Sequence, residues 1–262
     1  MKKTLLALGA GIISFTFAFG QEATVAEVTA PAAITAEDEA SATFLKTSLG
    51  LSSKSGNTES DSYSGRIEAG TTINKTVLDM MIEGAYAESE VEDADGNKRD
   101  EQTEGKVKAV ANAKQRFNGF YLYGNGSALH DSIAGIKFRG IIGTGIGTYL
   151  VDEDNFKFTV EGGVAYVYEE AYEDDDYFAL RFAERIDYKF SDTVTFWESV
   201  EVIPEASDFG NFLLSAEAGV DSAISEKVSI GLLLQIEHYS EPSSGVEEKT
   251  DTTIGARVTY SI

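Results

Sequence analysis

The chain has 262 residues, no cysteine, and a formal net charge of −23 at pH 7, with 44 acidic and 21 basic side chains. This length suits one large all-β domain or two smaller domains. The lack of cysteine excludes disulfides, thiolate metal sites and thiol catalysis. Because nucleic acids are bound through Lys and Arg contacts to phosphate, a chain this acidic is not expected to have a nucleic-acid partner.

The first segment has the features of a secretory signal peptide. Two lysines precede an apolar stretch from Leu5 to Phe19, which is too short to span a membrane as a helix. Small residues follow at the usual cleavage spacing, so the sequence predicts a signal peptide over residues 1–20. Residues 21–43 are small, acidic and without periodicity, which is typical of a flexible linker. The folded domain would then comprise residues 44–262.

From Phe44 onward, apolar and polar residues alternate, which indicates β-strands with one apolar and one polar face. In the segment VSIGLLLQIE, for example, Val228 and Ile230 share one face while Ser229 and Gly231 share the other. The predicted strands are residues 44–53, 60–73, 76–88, 101–114, 118–129, 135–150, 155–168, 177–190, 193–203, 211–223, 227–239 and 250–262. All three prolines lie outside them, because proline cannot complete the hydrogen bonding of a strand.

The connections between these strands alternate in length. Turns such as 74–75 and 191–192 are short, whereas the loops at 89–104, 169–177 and 241–251 are longer and acidic. Short turns on one side and long loops on the other, with an even number of strands, are typical of bacterial outer-membrane barrels. The sequence therefore predicts an all-β fold, an antiparallel transmembrane β-barrel of about 12 strands with short periplasmic turns and longer acidic extracellular loops. It would lie in the cell outer membrane and contact its lipid.

Aromatic residues support this prediction because they form two bands along the strands. Tyr188 and Phe190 lie toward the short-turn ends, and Tyr166 and Phe178 lie toward the long-loop ends. Two aromatic bands are what the two membrane interfaces select.

The polar faces of the strands carry both signs of charge, which predicts a small lumen joined by internal ion pairs. The candidate lumen-lining residues are Arg66, Glu68, Lys106, Lys108, Lys157, Glu161, Arg181, Arg185, Asp187, Glu217 and Arg257. Such a lumen suits a structural role or the slow permeation of small solutes and ions. Neither enzymatic activity nor a cofactor is expected.

Two acidic residues do not fit the alternation. Glu184 shares a face with Phe182 and Ile186, and Glu198 lies on the apolar face of the next strand. An unpaired carboxylate facing lipid is costly. A β-bulge, a position near the interface or protonation would each resolve the conflict.

The segment GTGIG at 143–147 resembles part of a dinucleotide-binding motif, but a strand rather than a helix follows it. Gly143, Gly145 and Gly147 lie on one strand face, where they would leave room for bulky neighbours in the lumen.

A second motif suggests weak binding of a divalent cation. Asp93, Asp95, Asn97 and Glu104 occupy the first, third, fifth and twelfth positions of a Ca²⁺-binding loop. Lys98 stands where such loops require glycine, and no helices flank the segment, so an exposed acidic loop is the competing interpretation.

Two further functions remain open alternatives. His238 and Ser240 have the spacing seen in outer-membrane phospholipases, for which Asn211 would be the third member. A soluble secreted β-barrel that binds an apolar ligand is the other alternative. It requires the apolar strand faces to point inward.

The ordered segments SLGLSSKSGNTES, GIIGTGIGTYLVDEDNFKFTVEGGVAYVYEE, RIDYKFSDTVTFWESVEVIPEASDF and EHYSEPSSGVEEKTDTTIGARVTYSI resemble the YdiY-like family of salt-induced outer-membrane proteins, a family of unknown function. The resemblance covers most of residues 44–262. It implies an outer-membrane barrel and a link to salt or osmotic adaptation, and it supplies no active site.

The last segment, DTTIGARVTYSI, is expected to be the strand that closes the barrel. A barrel in lipid cannot leave an edge open, so this strand should pair with residues near Leu45–Leu51. The resemblance implies a C-terminal signal that the outer-membrane assembly machinery recognises. Tyr260 and Ile262 are the candidate residues, with Ile262 in place of the usual terminal aromatic.

Overall fold

A computed structural model describes residues 41–54, 60–92, 98–171, 174–241 and 249–262. The predicted signal peptide and most of the predicted linker lie outside these residues. The described chain forms a closed barrel in which each strand pairs with its sequence neighbours and the first strand pairs with the last. The strands are β1 (Ser41–Lys54), β2 (Ser60–Ile73), β3 (Thr76–Glu92), β4 (Lys98–Arg116), β5 (Tyr121–Asp131), β6 (Ile136–Glu153), β7 (Phe156–Glu170), β8 (Asp175–Lys189), β9 (Val194–Pro204), β10 (Phe212–Ala223), β11 (Val228–Tyr239) and β12 (Thr250–Ser261).

The predicted all-β antiparallel barrel is therefore confirmed, and so is its closing strand. β1 and β12 pair from Lys46 opposite Ser261 to Leu51 opposite Ala256. Beyond the last paired residue, the main-chain N–H of Ile262 donates to the oxygen of Leu45 at 2.9 Å. These bonds join the two ends of the sheet, as a barrel in lipid requires.

The strands differ from their predicted bounds by up to four residues, at both ends of the barrel. β3 has 17 residues and β4 has 19, so both continue beyond the roughly 9–11 residues that cross a membrane. Pro204 was placed outside the strands, but it is the last residue of β9 and lies opposite Phe212. A strand end tolerates proline because few ladder hydrogen bonds remain to be lost there.

Two of the short turns use residues suited to a left-handed backbone. Asn74 has a φ of 56° in the β2–β3 turn, and Gly119 has a φ of 84° in the β4–β5 turn. Asparagine and glycine adopt this conformation at lower cost than other residues, and such turns match the twist of paired strands. In the second turn, the rings of Phe117 and Phe120 stack with centroids 5.0 Å apart.

The exposure of the side chains shows which face of the barrel wall is apolar. Outward side chains such as Leu49, Ile142 and Phe178 are 70%, 72% and 72% exposed, whereas inward Lys106 and Arg181 are 3% and 1% exposed. An exposed apolar surface of this extent suits contact with lipid rather than water. The apolar faces point outward, so the soluble barrel that binds an apolar ligand is wrong. Among the described residues, no helix is long and apolar enough to cross a membrane.

Outward aromatic rings mark two levels of the barrel wall. Tyr188 packs against Phe156 and Phe190 at the short-turn end, with centroids 6.1 and 4.6 Å away. At the long-loop end, Tyr166 lies 5.2 Å from Phe178. These pairs correspond to aromatic girdles at the two interfaces.

Candidate functional site in the barrel lumen

One side of the lumen, lined by β4 to β9, is filled by a buried charge network. Arg181 donates to Glu161 at 2.8 Å and to Glu201 at 3.0 Å, and the Lys114 ammonium lies 3.1 Å from Glu161. The hydroxyl of Tyr121 also donates to Glu161, at 2.7 Å. Each of these side chains is less than 10% exposed. The Arg181 ion pairs join the neighbouring strands β7, β8 and β9, and Lys114 reaches Glu161 from β4. These side chains fill this side of the lumen, so it offers no open path.

The glycines of GTGIG accommodate tyrosine rings within this packed side. A Cβ on Gly147 would lie 2.2 Å from the ring of Tyr121, and one on Gly145 would lie 2.6 Å from the hydroxyl of Tyr123. Gly163 on β7 faces the same hydroxyl at 2.4 Å. The expectation that the glycines make room for bulky lumen neighbours is confirmed for Gly145 and Gly147, whereas a Cβ on Gly143 would instead meet Asn125 Oδ1 at 2.4 Å.

An apolar cluster fills the long-loop end of the packed side. Ile141, Val167 and Ile203 are fully or almost fully buried there, together with Leu213 and Tyr239. These residues belong to the inward strand faces, which were expected to be polar throughout. The sequence signal is a single apolar residue near the long loops on the otherwise polar face of several strands, such as Ile203 on β9 and Leu213 on β10.

The opposite side of the lumen contains a cavity of about 300 Å³ near the short-turn end. Lys46, Phe44 and Ser261 at the two ends of the sheet line it, so it forms a vestibule on the predicted periplasmic side. The charged residues that line the vestibule are four basic ones (Lys46, Arg66, Arg185 and Arg257) and five acidic ones (Glu68, Asp79, Asp187, Glu217 and Asp221). The near balance of charge gives the vestibule little net preference for either sign.

Arg66 stands at the inner end of the vestibule and also lines a second cavity of about 60 Å³ toward the long loops. Its guanidinium contacts Glu83 and lies 3.5 Å from Glu217 and 3.9 Å from Glu68. Gln235 donates to Glu217 at 2.7 Å. These side chains form a charged constriction between the two cavities.

Trp197, the single tryptophan of the chain, forms a platform in the vestibule. The guanidinium carbons of Arg185 and Arg257 each lie 5.3 Å from its ring centroid. Asp221 accepts hydrogen bonds from Trp197 Nε1 and from Arg257, both at 2.8 Å. The arrangement holds both guanidinium groups at the vestibule wall through cation–π contacts and ion pairs. Alternation does not indicate this role of Trp197, because its contacts come from three other strands, β8, β10 and β12.

The contacts of the other candidate lumen residues differ from strand to strand. Lys106 is buried and its ammonium lies 3.8 Å from Glu237, and Lys108 is equally buried on the same strand. Arg185 is held by two hydrogen bonds to Asp187, at 2.8 and 2.9 Å. Lys157 lies at the short-turn rim instead, 3.5 Å from Asp152.

Glu184 and Glu198 both lie on the outward face. Glu184 is opposite Val200, and Glu198 is opposite Ile186, so the two carboxylates are diagonal neighbours across β8 and β9. Their strand neighbours Ala183 and Trp197 are buried inside, which fixes the outward direction of the two glutamates. No register shift interrupts this pair of strands, so a β-bulge does not resolve the conflict.

Only one of the four residues proposed for a Ca²⁺ site, Glu104, lies within the described part of the chain. Asp93, Asp95 and Asn97 lie outside the described residues, whereas Glu104 lies within β4, opposite Ala87 and 8% exposed. Because strand β4 starts at Lys98, the second half of the segment is part of the barrel wall. The described part of the chain contains no group of three or more His, Asp or Glu residues suited to a metal ion.

The candidate phospholipase residues are each held by another partner. His238 Nδ1 lies 2.7 Å from Thr250 Oγ1, and Ser240 Oγ accepts from the main-chain N–H of Phe212 at 2.6 Å. Asn211 donates to Glu205 at 3.0 Å. A catalytic nucleophile must contact a base, and the base must contact an orienting group. The contacts of Ser240, His238 and Asn211 do not form such a chain.

The closed barrel, its apolar outer face and its charged lumen together define an outer-membrane β-barrel with a channel-like fold. The family comparison agrees with this class. The chain belongs to the family described as proteins of unknown function, DUF481, whose model matches residues 47–262. This membership is consistent with the resemblance found in the sequence. No curated protein matches the chain.

Two solved structures share the fold. An outer membrane channel of the COG4313 group from Pseudomonas putida F1 is similar with a TM-score of 0.53 and 10% sequence identity, covering 90% of this chain and 100% of that one. The NanC porin is similar with a TM-score of 0.51 and 10% identity, covering 84% of this chain and 99% of that one. At this identity the similarity shows the fold alone.

Proposed function

We propose that the protein is a narrow passive channel that permits slow permeation of small ions. The observation that carries the proposal is the pair of cavities that meet at Arg66. They lie on the side of the lumen opposite the buried network around Arg181. Together they trace a polar route from the short-turn end toward the long loops.

The constriction accounts for slow passage. An ion that moves between the cavities must pass the guanidinium of Arg66 and the carboxylates of Glu83 and Glu217. These groups neutralise one another, so they offer a narrow passage without a strong attraction for either sign. Conduction through such a ring depends on side chains that can be displaced for a short time.

Planar-bilayer recordings test the proposal. The wild-type barrel is expected to show a small conductance with weak selectivity. Arg66→Ala removes the guanidinium and leaves Glu83 and Glu217 facing the passage, so conductance should rise and selectivity should shift toward cations. Lys137→Ala is the matched control, because Lys137 is 69% exposed and pairs with Glu170 at the outer rim. This control removes the same charge from outside the route.

Two results would overturn the proposal. The first is a bilayer containing folded wild-type or Arg66→Ala barrels that conducts no better than lipid alone. The second is an equal change in selectivity for Arg66→Ala and Lys137→Ala, since the effect would then arise from surface charge and not from the constriction.

The role in salt or osmotic adaptation is a further part of the proposal, and the family resemblance supports it. A strain that lacks the protein should grow more slowly than its parent after a rise in NaCl, and the wild-type chain should restore growth. Equal growth of both strains across the salt range would remove this part while leaving the channel proposal intact.

The proposed partner during biogenesis is the outer-membrane assembly machinery, which would recognise the end of β12. Tyr260 is outward and 45% exposed, and the main chain of Ile262 is bonded to Leu45. Tyr260 would therefore present the aromatic group, while Ile262 would complete the closing register. Crosslinking of an assembly intermediate through the neighbouring outward position of Val258 should capture the machinery, and capture that is unchanged by Tyr260→Ala would contradict this assignment.

A further inference from the structure

The sequence contains two Asn-Gly pairs, Asn118-Gly119 and Asn125-Gly126, and both lie near the start of β5. Glycine has no Cβ, so its main-chain nitrogen can closely approach the side-chain amide of an asparagine that precedes it. This approach is the first step in the spontaneous loss of ammonia from asparagine. The barrel places the two pairs in opposite surroundings, so their chemical fates should differ.

Asn118 and Gly119 form the tip of the β4–β5 turn, where both residues are exposed. Gly119 has a φ of 84°, and a Cβ added to it would meet nothing within 4 Å. The turn is held at its flanks, where Phe117 N–H donates to the oxygen of Phe120 at 2.8 Å and Thr148 Oγ1 donates to the oxygen of Gly119 at 2.7 Å. Within the described part of the chain, neither the Asn118 amide nor the Gly119 N–H has a hydrogen-bond partner. The two reacting groups are therefore not held apart.

Asn125 and Gly126 lie inside the barrel wall instead. Asn125 is 7% exposed and points into the lumen, where its Oδ1 lies close to Gly143 on β6. Gly126 is opposite Ala111 on β4 and Ile142 on β6, so strand pairing holds its main chain on both sides. Attack by the Gly126 nitrogen requires this part of β5 to leave the sheet first, and such local opening costs free energy.

We propose that Asn118 is a site of spontaneous covalent modification, at which the side-chain amide is converted to a carboxylate through a cyclic imide. The Gly119 nitrogen bonds to Asn118 Cγ, the Cγ–Nδ2 bond breaks, and ammonia leaves with the proton of the Gly119 N–H. Water then opens the ring at either of its carbonyl carbons. Opening at Cγ gives aspartate, whereas opening at the main-chain carbonyl gives isoaspartate, in which the chain runs through Cβ. Water is the only co-reactant.

Either product adds a negative charge at the short-turn end of β4 and β5. Isoaspartate also inserts a methylene carbon into the main chain of the turn, so the rings of Phe117 and Phe120, now stacked with centroids 5.0 Å apart, would be displaced. The modification accumulates with time at the predicted periplasmic end of the folded barrel. It does not depend on whether the lumen conducts ions.

Mass spectrometry of the folded barrel in phosphatidylcholine vesicles tests the proposal on a single peptide. Trypsin cleaves after Arg116 and Lys137, so one peptide carries both Asn-Gly pairs, and its fragment ions assign the mass gain to Asn118 or to Asn125. After incubation at mildly alkaline pH, Asn118 should react at least about tenfold faster than Asn125, since a local opening free energy of about 1.4 kcal/mol lowers the reactive fraction of Asn125 tenfold. The chain unfolded in urea is the control, and both positions should react at similar rates in it.

Gly119→Asn tests the role of the glycine nitrogen. Asparagine tolerates a positive φ, as Asn74 does at 56° in the β2–β3 turn, so the variant keeps the turn but adds a Cβ beside the attacking nitrogen. The reaction at Asn118 should slow several-fold, while heat-modifiable mobility on a gel reports an intact barrel. Equal rates at Asn118 and Asn125 in the folded wild-type barrel would overturn the proposal, as would an Asn118 that reacts only in urea. An Asn118 rate that Gly119→Asn leaves unchanged would also overturn it.

Discussion

Replacing Arg181 with leucine should strongly destabilise the barrel. The guanidinium is 1% exposed and joins Glu161 and Glu201 at 2.8 and 3.0 Å. Removal of one member of a buried ion pair costs about 3–5 kcal/mol, because the remaining charge stays buried. Glu161 keeps its contacts with Lys114 and Tyr121, so part of the buried negative charge stays compensated. We therefore expect the free energy of unfolding to fall by an amount near the middle of that range, and not by the sum of two such penalties.

Urea unfolding in lipid vesicles measures this loss. Trp197, as the single tryptophan, reports unfolding by fluorescence, and gel mobility reports the folded fraction independently. Lys137→Ala serves as the control, because its ion pair with Glu170 is 69% and 44% exposed. Exposed pairs of this kind contribute about 0–1 kcal/mol.

A free energy of unfolding for Arg181→Leu within about 1 kcal/mol of wild type would refute the reasoning, because buried pairs broken on one side do not cost so little. Arg181→Lys refines the test. Lysine keeps the charge but cannot donate to both carboxylates as a planar guanidinium does, so intermediate stability is expected.

Three more predictions follow from other parts of the wall. Gly147→Ala should cost about 1–3 kcal/mol by overpacking against Tyr121, whereas Gly162→Ala, whose Cβ would meet nothing within 4 Å, should be nearly neutral in the same urea assay. Deletion of residues 260–262 should block assembly and leave chains that show no heat-modifiable band; a normal band would exclude the proposed C-terminal signal. Glu184→Leu should stabilise the barrel by about 1 kcal/mol by removing an outward carboxylate from the lipid-facing wall, and destabilisation would point to a partner for that group.

Much of the fold could be predicted from the sequence because alternation reports directly on strand faces. In a membrane barrel one strand face contacts lipid and the other lines the lumen. An alternating pattern therefore predicts both where the strands lie and which of their side chains point outward. The closing register of β12 also followed, because lipid does not tolerate an open edge. The outward position of Glu184 was visible in the same pattern.

The contents of the lumen could not be predicted in the same way. Alternation gives the direction of each side chain but not which side chains meet across the barrel. The contact of Lys114 on β4 with Glu161 on β7 depends on the relative heights of strands set by the whole barrel's stagger. In the sequence, Ile141 and Ile203 each interrupt a polar strand face. Only the assembled barrel shows that they belong to one apolar cluster. The cavities at Arg66 are what this packing leaves unfilled.

The uneven filling of the lumen also has a kinetic consequence. Strands β5 to β9 are joined through their interior by Arg181 and the apolar cluster, whereas β1 and β12 are joined by a shorter ladder beside the cavities. Local opening requires fewer interactions to be broken where few buried contacts cross between strands. Amide protons of β12 should therefore exchange with deuterium long before those of β7 and β8.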